Sequence, residues 1–248
     1  MLLQDKVTLV TGAATGIGEG VARLFAAQGA RVFLLDRDVA ANQSVAASIC
    51  ESGACAWAFT ADVRRPAEIA SAVEDALARY GRIDVLVNNA GIFPRQDFLD
   101  MTEAEWDEMQ DVNLKSMFHT IKLTLPHMIA QRGGKIVNIS SITFFTGMAA
   151  LSHYVASKGG VIGLTRSLAR EAGAHNVHVN CIAPGAIQTA SEPRFVSAEQ
   201  AREFVAHQAL PRRITPLDVA RACLFLASEL SDGMTGQVLT VDGGWVMH

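Results

Sequence analysis

Short apolar runs rich in β-branched residues alternate along this chain with longer stretches whose apolar positions recur at helical spacing. VTLV (7–10), RVFLLD (31–36), 54–60, IDVLVNNAG with its exit loop (83–91), KIVNIS (135–140), VHVNCIAP (177–184) and QVLTVDGG (237–244) read as strands. The first is followed by a helix with Val21, Leu24 and Phe25 on one face and Gly29 as its stop. Further helices are predicted over about 39–52 and from Pro66, whose proline fits a first turn. Thr102 opens an N-cap signal, TEAE, for a helix running with a break towards Gln131, and Pro126 should kink or interrupt it. A helix carrying Tyr154 continues to about Ala172. A short one lies near 198–207, and the last starts at Thr215 and Pro216. Strands that are apolar throughout belong to a parallel sheet covered on both faces. The expectation is one doubly wound α/β domain over 1–248, with an irregular segment, 186–213, inserted near its end.

Composition narrows the class. With 248 residues and 50% hydrophobic content the chain can bury a large core. Its net charge of −4 is scattered rather than blocked, which argues against nucleic acid or an anionic membrane as a partner. No apolar run approaches a membrane span, and the N-terminus lacks a long apolar stretch, so a cytoplasmic protein is expected. Cys50, Cys55, Cys181 and Cys223 form no C-x-x-C and read as reduced thiols. His175 and His178 straddle a helix-to-strand transition without a third ligand, so no metal site is expected.

The turn after the first strand, TGAATGIG, has glycines at 12, 16 and 18. Glycines there permit a tight turn and let a pyrophosphate approach N–H groups at a helix N-terminus. The spacing departs from G-x-G-x-x-G. Asp36, about 20 residues on at the end of the second strand, suits a ribose 2′-hydroxyl and repels a 2′-phosphate, which favours NAD over NADP. Arg37 beside it is the residue that would grip that phosphate.

Tyr154 and Lys158 stand four apart, on one face of a helix. An ammonium near a phenol favours the phenolate, which would bring a group that ionises at about pH 10 towards use as a base. Ser141, just after the fifth strand, is placed to converge with them on one substrate oxygen.

TGAATGIG, Asp62-Val63, NNAG (88–91), Asn113, Ser141, YVASK (154–158) and PGAIQT (184–189) follow one another in an order that resembles the short-chain dehydrogenase/reductase family over essentially the whole chain. The resemblance implies a Rossmann-type, seven-stranded parallel sheet, a nicotinamide cofactor, and a homotetramer or homodimer. It implies Tyr154 as general acid/base, Lys158 as its electrostatic helper and a ligand of the nicotinamide ribose, Ser141 as the substrate-orienting hydroxyl, and Asn113 as the holder of a relay water. Gly12, Thr15, Gly16, Ile17 and Gly18 would surround the pyrophosphate, with Asp36 and Arg37 at the adenosine ribose. Asp62 and Val63 would meet adenine, and Asn89, Ala90 and Gly91 the ribose side. Pro184, Gly185, Ile187 and Thr189 would lie at the nicotinamide. A partial, closer similarity, in the SHY and TFF steps and the terminal VDGGWVMH, is to 1-phenylethanol and pyridoxal 4-dehydrogenases within the family.

The substrate pocket implied by the family is walled by Phe93, Thr143, Phe144 and Met148, which suits a hydrophobic or aromatic secondary alcohol and its ketone. The segment 186–213 would act as a lid. An NADPH-dependent 3-oxoacyl thioester reductase is the alternative, with Asp36 against it. A non-catalytic dinucleotide-binding protein is a third reading, opposed by the intact set of Asn113, Ser141, Tyr154 and Lys158.

Overall fold

The structure, a computed structural model, describes residues 1–190, 192 and 196–247. Seven strands form one all-parallel sheet: β1 (Val7–Thr11), β2 (Arg31–Asp36), β3 (Cys55–Thr60), β4 (Val85–Asn88), β5 (Gly134–Ile139), β6 (Val177–Pro184) and β7 (Val238–Val241). Their order is β3-β2-β1-β4-β5-β6-β7. The helices are α1 (Gly16–Ala27), α2 (Val39–Glu51), α3 (Pro66–Tyr80), α4 (Glu103–Gln110), α5 (Ser116–Gln131), α6 (Thr143–Thr146), α7 (Ser152–Ala172), α8 (Ala198–Ala206) and α9 (Pro216–Ala227). This is a single doubly wound α/β domain of Rossmann type.

Successive strand residues point to opposite faces, so neighbours in sequence serve different layers. Val10, Val32 and Leu34 pack with Val21, Phe25, Val219 and Cys223 of α1 and α9 on one face. Leu9, Phe33 and Leu86 pack with Ile69, Met117 and Val161 of α3, α5 and α7 on the other. Phe25 and Phe33 are completely enclosed, each stabilising the fold by about 2–3 kcal/mol.

The chain builds outward from β1 to β3, then crosses back to lay β4 against the free side of β1. Loops leaving β1 and β4 therefore diverge, and a crevice opens at their carboxyl ends, where open α/β sheets bind ligands.

The break expected between Thr102 and Gln131 falls at a π-helical turn, Asp111–Lys115. Pro126 does not interrupt the helix, since α5 runs through it to Gln131. One missing N–H is tolerated in sixteen residues anchored by the buried Met117, Ile121 and Met128. Small residues on α7 let other side chains of the chain pack closely against the helix. A Cβ at Gly159 would lie 2.9 Å from Phe144, and one at Gly160 would lie 2.6 Å from Leu114. Cys50 and Cys55 are exposed, Cys181 and Cys223 are buried, and all four are free thiols. Among the described residues no helix is long and apolar enough to cross a membrane.

Candidate functional site

The crevice is a cavity of about 580 Å³ lined by the loops after β1, β2, β3, β4, β5 and β6. At one end, the β1–α1 turn depends on glycine. Gly12 has φ 64°, and a Cβ there would stand 2.8 Å from the Ala90 Cα; a Cβ on Gly18 would meet the Gly12 carbonyl at 2.0 Å. Thr15, the N-cap of α1, makes no side-chain capping bond, so the first N–H groups of the helix have no side-chain acceptor. That is a cradle an anion fits, with Gly12, Thr15, Gly16 and Ile17 on the cavity wall. Gly18 lies beneath it, where its missing Cβ lets the helix close on the turn.

Asp36 ends β2 with both carboxylate oxygens held: Oδ2 accepts from the Ala14 N–H at 3.0 Å and Oδ1 from the Asp38 N–H at 2.9 Å. Asp36 and Arg37 line the cavity, as do Asp62 and Val63. The guanidinium of Arg64 grips Asp62, with Nε 3.0 Å from both carboxylate oxygens, and holds its carboxyl below the usual range. Arg64 escaped the sequence reading because its partner only two residues away gives no periodic signal.

Asn89 turns back on the glycine loop, its Nδ2 donating to the Thr11 and Gly12 carbonyls at 3.1 and 3.0 Å. With Ala90 and Gly91 it forms the floor between the two ends of the cavity. Asn113, from the π turn, does not line the cavity. Its Oδ1 accepts from the Ile92 N–H at 2.8 Å and its Nδ2 donates to the Ile92 carbonyl at 2.9 Å, with Ser157 Oγ at 3.3 Å. The side-chain amide of Asn113 thus clamps the loop after β4.

At the other end Ser141, Tyr154 and Lys158 meet. Burial pushes the Tyr154 phenol above its ordinary value, and a hydrogen bond from Ser141 opposes that shift. Lys158, which was expected to lower the phenol, stands beside it. Its Nζ sits 5.6 Å from the centre of the Tyr154 ring and donates to the Ile139 carbonyl at 2.9 Å. Enclosure pulls the Lys158 pKa down to about 8. Pro184, Gly185, Ile187 and Thr189 complete this wall after β6.

Phe93, Thr143 and Met148 face the cavity and Phe144 does not. In the helical turn α6 successive side chains rotate by roughly 100°. Thr143 and Thr146 therefore look inward, while Phe144 turns onto Gly159. The sequence reading missed Arg95, Leu151, Val196, Gln200, Phe204 and Trp245 on the same wall. Phe204 belongs to the amphipathic α8, within the expected lid; its ring packs on Trp245, 6.0 Å between centres, and His207 stacks on the same indole at 4.7 Å. Glu192 pairs with Arg213, which also reaches the Ala186 carbonyl. Pro193 and Arg194 of the expected lid lie outside the described residues.

The family profile described as enoyl-(acyl carrier protein) reductase matches residues 12–246. The chain is 41% identical to a 3-oxoacyl-[acyl-carrier-protein] reductase of Chlamydia muridarum, over 98% of each chain. It is 40% identical to a probable galactose dehydrogenase of Rhizobium meliloti, over 98% of this chain and 95% of that one. A 2-dehydro-3-deoxy-D-gluconate 5-dehydrogenase of Escherichia coli is 37% identical, over 98% and 96%. With this fold, the glycine cradle and the Ser141–Tyr154–Lys158 cluster on one cleft, the chain belongs to the short-chain dehydrogenase/reductase family, oxidoreductases that act on CH–OH groups with a nicotinamide cofactor.

Proposed function

We propose that this protein is an NAD-dependent oxidoreductase of a secondary alcohol and its ketone, with an apolar or aromatic substrate body. One observation carries the reading: a single cleft joins a carboxylate-marked glycine cradle to a serine, a phenol and an ammonium. The donor set fits NAD. The N-terminus of α1, left uncapped by the Thr15 side chain, suits a pyrophosphate, and the pinned Asp36 carboxylate suits a free ribose 2′-hydroxyl while opposing a phosphate there. When bound, the nicotinamide supplies the hydride acceptor for oxidation and the donor for reduction.

Tyr154 Oη takes the alcohol proton in oxidation and returns it in reduction. Ser141, beside that phenol, orients the substrate oxygen and favours the phenolate. Lys158, fixed on the Ile139 carbonyl, keeps positive charge close to the ring. Asn113 is a positioning residue, holding Ile92 and with it the loop that carries Phe93. The Phe93 and Tyr154 ring centres lie 6.5 Å apart in an edge-on arrangement, and with Leu151, Phe204 and Trp245 Phe93 makes an apolar wall. The segment 186–213, which supplies Phe204, acts as the lid.

A 3-oxoacyl thioester reductase is the second reading, favoured by the similarity to 3-oxoacyl-[acyl-carrier-protein] reductases at 40–41% identity. A spectrophotometric assay of reduced nicotinamide separates the two. NADH formation from an aryl secondary alcohol such as 1-phenylethanol is the expected outcome. Turnover confined to NADPH and a 3-oxoacyl thioester would overturn both the cofactor and the substrate parts of the reading.

A further inference from the structure

Among the described residues, six charged side chains line the cleft: Asp36, Arg37 and Asp62 at the glycine end, and Arg95, Lys158 and Glu192 at the other. At the second end two of the three already have strong partners. Lys158 donates to the Ile139 carbonyl, and Glu192 is paired with Arg213. Arg95 differs. Among the described residues no carboxylate lies within ion-pair reach of it, and its guanidinium touches only the Met148 thioether, with Nη2 3.6 Å from Sδ. A thioether is a weak acceptor, so this exposed five-donor fork keeps its donors for solvent or for a ligand in the cavity.

The backbone that carries the fork is held in place. The next residue, Gln96, donates its N–H to the Ala150 carbonyl at 2.8 Å, tying the loop after β4 to the loop that precedes α7. Arg95 therefore sits where the two walls meet, two residues beyond Phe93, whose ring edge approaches Tyr154. A substrate whose carbinol reaches Ser141 and Tyr154 and whose apolar body lies along Phe93 and Met148 would present its far end to Arg95.

We infer that the preferred substrate is anionic: a secondary alcohol or ketone with an apolar body and a carboxylate at the end remote from the reacting carbon, received by Arg95. The planar fork matches a carboxylate with two parallel N–H···O bonds, which a neutral analogue cannot reproduce. This deepens the alcohol–ketone reading and rests on it for the position of the carbinol.

The test compares 4-acetylbenzoate with 4-acetylbenzamide, which share ring and ketone and differ in charge. Binding of each to the NADH-loaded protein is measured by calorimetry for the wild type, Arg95→Gln and Arg95→Lys, with melting curves to establish that the variants are folded. The wild type should prefer the carboxylate by about tenfold. That preference should vanish in Arg95→Gln, survive in part in Arg95→Lys, and weaken with added salt. Equal binding of the two compounds, a preference that persists in Arg95→Gln, or no measurable binding of the carboxylate would each overturn the inference. Turnover of the matching alcohols is recorded separately. Selective binding without turnover would count against the alcohol–ketone reading and leave the anion site standing.

Discussion

Lys158 is fully enclosed, and enclosure alone brings its pKa from 10.5 to about 8. Below pH 8 folded and unfolded chains both carry the proton, so the whole penalty of burying an ammonium falls on the fold. Between pH 8 and 10.5 the unfolded chain keeps a proton that the folded one has released, and stability rises with pH. The drop from 10.5 to about 8 corresponds to about 3 kcal/mol. Lys158→Met also leaves the Ile139 carbonyl without its donor, which returns about 1–2 kcal/mol of that gain. Denaturant unfolding at pH 7 should therefore find Lys158→Met more stable by about 1–2 kcal/mol, the advantage shrinking as pH rises from 8 to 10.5, while turnover is lost. A variant less stable at pH 7 would mean the ammonium is better satisfied than its surroundings indicate. Tyr154 titrates the other way. Burial raises it and only the Ser141 hydrogen bond opposes that shift, so alcohol oxidation, which needs the phenolate, should rise with pH. Ser141→Ala removes the opposing bond and should move that rise to higher pH; an unmoved profile would separate Ser141 from the titration.

The π turn Asp111–Lys115 places Asn113 so that one amide satisfies both main-chain groups of Ile92. Asn113→Ala leaves a buried N–H and C=O unpartnered, at a cost of about 1–3 kcal/mol. The loosened loop carries Phe93 and Arg95, so KM for substrate should rise several-fold more than KM for the dinucleotide; equal effects on both would place the role of Asn113 elsewhere. None of this was legible in sequence. A break between Thr102 and Gln131 could be expected, but its site depends on which carbonyl each N–H reaches. Pro126, the obvious breaker, proved tolerated because the helix around it is anchored by core residues. The strands were legible almost to their ends, since VTLV, RVFLLD and VHVNCIAP carry apolar residues on both faces and sit between helices in a two-sided sheet. Phe144 was misread for a related reason. Its apolarity suggested a place on the cavity wall, but the rotation of α6 turns it towards Gly159, where it stays exposed.

The cleft draws on residues from Gly12 to Trp245, brought together by the reversal of strand order between β1 and β4. Its glycine end was readable because TGAATGIG and Asp36 are close in sequence and each has a backbone reason to be there. The substrate end was readable only in part, since Phe204 and Trp245 meet there from separate segments near the C-terminus. A ligand spanning such a cleft touches loops from both halves of the sheet and stabilises the whole domain rather than one element. At a concentration about 100 times its dissociation constant it adds about 2.7 kcal/mol to the folded state. For a domain of 248 residues that amounts to a rise in Tm of about 5–10 °C. NAD should produce that rise in a melting experiment, and NADP at equal concentration a smaller one, because the Asp36 carboxylate is pinned by the Ala14 and Asp38 N–H groups and cannot swing away from a 2′-phosphate without breaking both bonds. Asp36→Ser should narrow or reverse the difference by removing that charge while Arg37 remains beside it. A larger shift with NADP in the unaltered protein would show that Arg37 outweighs the carboxylate, and would move the thioester reductase reading to the front.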